Sequence, residues 1–177
     1  LIVHKELPIR KGKAIDIGTG AGFPGMVLAI CNPELDFTLM DSVGKKTKFL
    51  ESIKDSLLLK NVEVINGYGE KLGEKYLETF DRVLLDTPCS GEGRFTIYNV
   101  QSYKTWSPKT VNDLTKMQRK LFKSAFNALK PNGTLVYSTC TLNKKCSLMT
   151  CRLRNYDQGN SFYNKPIECA VDYSIAL

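Results

Sequence analysis

Asp16-Ile17-Gly18-Thr19-Gly20-Ala21-Gly22-Phe23-Pro24-Gly25 is the stretch whose reading decides the fold. The apolar run Ala14–Ile17 leads into it as a short buried strand, and the glycines that follow permit a tight turn and close backbone approach by a ligand. Pro24 then suits the first turn of a helix, where a fixed φ and a missing donor do no harm. Strand, glycine loop and helix in that order predict a cofactor loop. Gly20, Gly22 and Gly25 satisfy the GxGxxG pattern of dinucleotide folds, and Asp41 closes the next strand where a ribose-binding acid is expected. The longer DxGxGxG form, carried by Asp16, Gly18, Gly20 and Gly22, suits S-adenosyl-L-methionine better. That cofactor has no pyrophosphate for a helix N-terminus but does carry a cationic amino group. Asp16 is expected near the amino group and Asp41 at the ribose hydroxyls. Glu70, in Gly67-Tyr68-Gly69-Glu70, is expected either beside the adenine or in a solvated loop. The competing reading is a sharp strand-to-helix turn without a ligand, with Asp41 capping the next helix.

Outward from this loop, the runs Phe37–Met40, Val62–Ile65, Arg82–Leu85 and Thr134–Tyr137 are short and rich in β-branched or aromatic residues, as buried parallel strands are. Helical patterns lie between them. Met26–Ile30 is short, Lys45–Leu59 carries Phe49, Leu50, Ile53, Leu57 and Leu58 on one side, and Pro108–Leu129 carries Val111, Leu114, Leu121, Ala125 and Leu129. Asn132-Gly133 reads as the turn that ends the long helix and feeds the last strand. Alternating strands and helices predict an α/β, doubly wound, mostly parallel sheet of Rossmann-like type. At 177 residues the chain fits a single domain, with residues 1–13 as a lead-in and 139–177 as a poorly patterned tail. Within that tail, Leu148–Leu153 reads as helical, and Phe162-Tyr163 and Tyr173–Ala176 as edge strands.

Composition narrows the class. The six cysteines lack the paired spacing of a zinc site, so no metal is expected, and reduced thiols in a cytoplasmic protein are. No apolar run approaches the roughly twenty residues needed to cross a bilayer. Twenty-five Lys and Arg against 18 Asp and Glu give a net charge of +7, compatible with a polyanion such as RNA.

Two cysteines sit at the ends of adjacent strand candidates, Cys89 in Leu85-Asp86-Thr87-Pro88-Cys89-Ser90-Gly91-Glu92-Gly93 and Cys140 in Val136-Tyr137-Ser138-Thr139-Cys140-Thr141-Leu142. Open α/β sheets place ligands at their strand C-termini, so the pair is expected to meet over one substrate. The alternative is two small buried hydrophobes. The connection from Thr87 to Ser107 holds Gly91, Gly93, Arg94, Phe95, Tyr98, Tyr103 and Trp106, a density of glycines and aromatics that a simple linker does not need.

Residues 14 to about 65 resemble the GidB-type methyltransferases of guanine nitrogen 7 in bacterial small-subunit ribosomal RNA. The resemblance rests on Asp16 to Gly25, Leu39-Met40-Asp41-Ser42, Lys45-Lys46, Phe49-Leu50 and Asn61-Val62. Residues from about 80 to 143 resemble instead the Nop/Sun family of RNA cytosine-5 methyltransferases, in Phe80 to Gly93, Trp106-Ser107, Gln118, Leu129 to Gly133 and Tyr137 to Leu142. Nop/Sun proteins carry an Ala-Ala-Pro-Gly-Gly-Lys-Thr type loop where this chain has Gly20–Gly25, and acidic residues where it has Lys144-Lys145-Cys146. Both families share one methyltransferase sheet, so a join near residues 66–80 is physically tolerable. A natural hybrid, a recombined chain and a divergent member of one family all stay open at this point.

The second resemblance implies an S-adenosyl-L-methionine-dependent enzyme acting on ribosomal or transfer RNA. It implies Cys140 as nucleophile, Asp86 at ring nitrogen 3 of the base, and Cys89 assisting release. A free thiol has a pKa of about 8.5, so Lys144, Lys145 and Arg94 are candidates for lowering it. The aromatic loop is expected to supply faces for an unstacked base, or to pack internally. The rival readings are a guanine-N7 ribosomal RNA methyltransferase and a catalytically inactive RNA-binding module. No separate RNA-binding domain is visible, so RNA selection is expected to come from flanking sequence or a partner protein.

Overall fold

A computed structural model describes residues 11–92 and 95–139. The tail elements expected beyond residue 139, Cys140 with its neighbours, and Arg94 lie outside the described residues. Strands β1 (Gly12–Ile17), β2 (Leu35–Asp41), β3 (Val62–Asn66), β4 (Phe80–Asp86) and β5 (Leu129–Ser138) form one sheet in the order β3-β2-β1-β4-β5. Every pairing in it is parallel. All the strands predicted from the apolar runs are present, each longer than its run, because backbone pairing continues past the last apolar side chain.

Alternation along each strand sends successive side chains to opposite faces. Ile15, Ile17, Val83, Leu85, Leu135 and Tyr137 join one buried cluster with Leu121, Phe122 and Ala125 of the long helix α4 (Pro108–Ala128). Ala14, Leu39 and Leu84 join a second cluster with Met26 and Leu28 of α1 (Gly25–Cys31) and Leu50 of α2 (Gly44–Ser56). With both faces covered, the strands read as near-continuous apolar runs. Arg82 departs from that pattern: it is 5% exposed, and its Nε and Nη1 have no hydrogen-bond partner among the described residues. Asp81 stitches three strands together, accepting from the Lys13 amide at 2.8 Å and from Lys130 Nζ at 3.0 and 3.1 Å.

Helix α4 starts where its sequence says it should. Ser107 caps it, its Oγ accepting from the Thr110 amide at 3.1 Å, and Pro108 opens the first turn. A one-turn helix, α3 (Leu72–Lys75), lies against α4, and Gly73 makes this possible: a Cβ there would stand 2.6 Å from the Ser124 carbonyl oxygen.

Three local expectations need correction. Helix α2 ends at Ser56, short of Leu59, because Leu58 turns left-handed (φ 52°) and the Leu59 amide closes back on the Lys54 carbonyl at 3.0 Å. Leu57 and Leu58 are therefore exposed, Phe49 within the helix also faces solvent, and Leu50 is the fully buried residue of the group. The long helix stops at Ala128 and Leu129 is already extended, so Asn132-Gly133 does not end it. Those two residues lie inside β5, where Phe80 pairs with Leu129 but Arg82 pairs with Thr134, and Asn132 (φ 62°) absorbs the bulge. Pro24 stands at the N-cap of α1, one position outside the first turn.

Candidate functional site

The order of the sheet places β1 between β2 and β4, so connections leave the two sides of β1 in opposite directions and open a crevice at the strand C-termini. The glycine loop fills the floor of that crevice. Gly18 and Thr19 donate their amides to the Met40 carbonyl at 2.8 and 3.1 Å, which ties the loop to the end of β2. Gly18 (φ 83°) passes so close to the end of β4 that a Cβ would lie 2.8 Å from the Asp86 carbonyl oxygen. Gly20 (φ 61°) faces open space, where a Cβ would find nothing nearer than 3.9 Å. Gly22 (φ 93°) is closed in by Met26 and Leu50.

Three carboxylates converge here. Asp16 is fully buried, its Oδ2 accepting from the Gly25 amide at 2.9 Å. Burial pushes its pKa up to about 6, opposed by the nearby Thr19 hydroxyl and the Gly25 amide, with the Asp86 and Asp41 carboxylates adding to the rise. Asp16 Oδ1 and Thr19 Oγ1 are buried side by side, and among the described residues neither completes a well-formed hydrogen bond. Asp41 accepts from the Gly20 amide at 3.0 Å, the Val43 amide at 2.8 Å and Lys46 Nζ at 3.2 Å. Asp86 is open to solvent at the end of β4, yet partial burial of its carboxyl still raises its pKa, opposed by the Ser138 hydroxyl that donates to it at 3.0 Å. Glu70 occupies a half-buried 3₁₀ turn, Gly69–Lys71, after β3, and no hydrogen bond among the described residues joins it to the glycine loop.

These features test whether the residues suit S-adenosyl-L-methionine. A buried carboxylate oxygen without a well-formed hydrogen bond suits a cationic amino group. Asp41 keeps an acceptor position beyond its three donors, and Gly20 leaves its flank open. The residue set fits.

The turn that carries Cys89 is gripped from two sides. On the β5 side, the Thr87 amide donates to the Ser138 carbonyl at 3.1 Å, and the Thr87 hydroxyl lies 3.1 Å from Tyr137 Oη. From α4, the fully buried Gln118 donates Nε2 to the Pro88 carbonyl at 2.9 Å. Cys89 itself is half-buried and disulfide-bonded, where the sequence leads one to expect a reduced thiol; Cys31 is free and exposed. Asp16, Gly18, Gly20, Asp41 and Asp86 thus come together at one edge, with Cys89 three residues beyond Asp86. Sequence reasoning did not reach the supporting contacts of Lys46, Ser138 and the Gln118 amide. All three residues stand in the motifs that carry the two resemblances, and that was the signal available for them.

A parallel sheet with this strand order, a glycine loop after β1 and acids at the ends of β1 and β2 defines the S-adenosyl-L-methionine-dependent methyltransferases of Rossmann-like fold. The family model described as GidB, rRNA small subunit methyltransferase G, matches residues 2–92, just over half of the chain, and the chain belongs to that family. The match extends past residue 65 and takes in Asp86 and Cys89. Ribosomal RNA small subunit methyltransferase G of Fusobacterium nucleatum is 61% identical over 81 residues, 46% of this chain and 35% of that protein. Ribosomal RNA small subunit methyltransferase F of Shigella flexneri serotype 5b is 45% identical over 94 residues, 53% of this chain and 19% of that protein. The chain thus spans between 19% and 35% of the length of these relatives. The crystal structure of NSun6 from Pyrococcus horikoshii with SFG matches with a TM-score of 0.68 at 23% identity, over 82% of this chain and 37% of that one, a likeness of fold. Among the described residues no helix is long and apolar enough to cross a membrane.

Proposed function

We propose that this chain is the catalytic domain of an S-adenosyl-L-methionine-dependent methyltransferase that modifies carbon 5 of a cytosine in ribosomal or transfer RNA. One observation carries the reading. Asp86 and Ser138 are register partners joined by a side-chain hydrogen bond, so the two cysteine-bearing motifs leave the sheet at adjacent strand ends beside the glycine loop. Cys140 follows Ser138 by two positions in the sequence.

Carbon 5 of cytosine is a weak nucleophile. Addition of the Cys140 thiolate at carbon 6 forms an S–C bond and shifts the carbon 5–carbon 6 electron pair onto the ring. Asp86, its pKa raised, hydrogen-bonds ring nitrogen 3 and stabilises the charge that arrives there. S-adenosyl-L-methionine, when bound, supplies an electrophilic methyl group on a sulfonium. Asp16 would hold its amino group, Asp41 its ribose, Gly18, Gly20 and Gly22 its backbone approach, and Glu70 the adenine side. After methylation the carbon-5 proton passes to a base, the S–C bond breaks, and its electrons return to the Cys140 sulfur. Cys89, once reduced, assists this release. RNA selection falls to flanking segments or a partner protein, since the chain is a minor part of its relatives' length. A reaction on ribosomal or transfer RNA belongs in the cytoplasm.

A second reading, guanine-N7 methylation, is favoured by the family match over residues 2–92. Guanine nitrogen 7 already offers a lone pair, so that chemistry needs no cysteine. The two separate in one experiment, run in reductant: incubate the protein and its Cys140→Ala variant with S-adenosyl-L-methionine and undermethylated RNA, then identify the nucleosides by mass spectrometry. The expected result is 5-methylcytidine that disappears in the variant. Formation of 7-methylguanosine by both proteins overturns the cytosine assignment, and salt-sensitive RNA binding without any methylated product identifies an inactive binding module.

A further inference from the structure

Building on the RNA reading above, we propose that the loop Phe95–Trp106 is a stacking platform for single-stranded nucleotides beside the target, latched to the Cys89 turn through Glu92. Its aromatic residues have separate roles. Phe95 and Tyr103 pack edge to face on each other, with ring centroids 6.1 Å apart. Trp106 is tied down, its Nε1 donating to Glu92 Oε1 at 2.8 Å. Tyr98 sits in the turn closed by the Thr96–Asn99 bridge and is 92% exposed, with Ile97 beside it at 84%. A tip this bare contributes little to the protein's own core, and a tyrosine face turned to water suits a nucleobase.

Charge selects the occupant. From Phe95 through Asn112 the chain carries Lys104 and Lys109, both exposed, and no aspartate or glutamate. Aromatic faces interleaved with cations match the alternating bases and phosphates of a nucleic acid strand. The latch gives the surface its position. Glu92 accepts from Ser90 Oγ at 2.7 Å with one oxygen and from the Trp106 indole with the other, so one carboxylate joins the residue after Cys89 to the end of the loop. A base held at Tyr98 is thereby referenced to the turn that carries Cys89.

The test measures binding of a labelled single-stranded RNA by fluorescence anisotropy and of S-adenosyl-L-methionine by calorimetry, with melting temperature as a control on folding. Tyr98→Ala is expected to weaken RNA binding about tenfold while leaving cofactor affinity and melting unchanged. Tyr98→Phe keeps the ring and retains RNA affinity. Glu92→Ala weakens RNA binding, and Glu92→Gln, which preserves an acceptor for the indole, restores most of it. Where methyl transfer is measurable, Tyr98→Ala raises KM for RNA and spares kcat. RNA binding by Tyr98→Ala equal to that of the unmodified protein overturns the platform, as does a protein that binds no RNA at all. Formation of 5-methylcytidine with an unchanged Tyr98→Ala variant removes the platform and leaves the proposed reaction standing. Loss of RNA binding in that variant without any methylated product does the reverse.

Discussion

Asp16 is buried inside the protein, with one oxygen on the Gly25 amide and the other without a well-formed hydrogen bond among the described residues. Its folded pKa of about 6 lies above the ordinary carboxylate value, so the folded state holds this proton more tightly than the unfolded chain does. The group therefore favours folding most at low pH, and that contribution is lost as pH rises from about 4 through about 6, a swing of up to about 3 kcal/mol. Asp16→Asn, neutral at every pH, is expected to stabilise the protein by about 1–2 kcal/mol more at pH 7.5 than at pH 4.5, which paired thermal melts will show. The same variant loses cofactor affinity in calorimetry at pH 7.5. A variant that binds S-adenosyl-L-methionine normally removes Asp16 from the cofactor site. The positions of Asp16, Gly18 and Asp41 were legible in the sequence because a strand-loop-helix junction fixes them locally. The roles of Ser138 toward Asp86 and Gln118 toward Pro88 were not, since those hydrogen bonds span 52 and 30 residues and no local pattern encodes them.

At the scale of elements, the turn after β4 is held by two neighbours, and the share of α4 rests on one side chain. Gln118 is completely buried and donates to the Pro88 carbonyl, while its own Oε1 has no hydrogen-bond partner among the described residues. Gln118→Leu keeps apolar bulk there but leaves the carbonyl unpaired, at a cost of about 1–3 kcal/mol. The amides of Cys89 and Ser90 are expected to exchange with solvent faster in this variant, while those of β1 keep their protection. Unchanged exchange at both positions means that the Thr87 contacts to β5 hold the turn alone. Strands were the most readable elements, because burial on both faces leaves uninterrupted apolar runs. Helix boundaries were less so. Leu57 and Leu58 continue the apolar pattern of α2, yet a left-handed Leu58 turns the chain away before they can pack. Asn132-Gly133 carries a turn signal, but what it encodes is an irregularity within β5, visible only once the pairing with β4 is known.

At the scale of the whole molecule, a net charge of +7 acts through the counterions of its partner. Binding of a single-stranded RNA is expected to weaken about tenfold or more between 50 and 200 mM salt if three or more phosphates are neutralised. Lys104→Gln and Lys109→Gln together should flatten the dependence of log affinity on log salt by about 1. A salt-independent affinity argues against a polyanionic substrate. The order of the sheet has a consequence of its own. In the proposed reading, the cofactor's groups come from β1, β2 and the turn after β3, the base's from β4, β5 and the turns that follow them, and Asp86 at the end of β4 serves both. The two sets meet where Ala14 to Ile17 pair with Arg82 to Leu85 and Gly18 presses on the end of β4, and again where α3 packs on α4 through the Gly73 amide and the Ser124 hydroxyl. A chimera that trades the second half for its counterpart from a cousin recognising a different base is expected to keep its affinity for the methyl donor only if both contacts are kept, which calorimetry on the chimera checks.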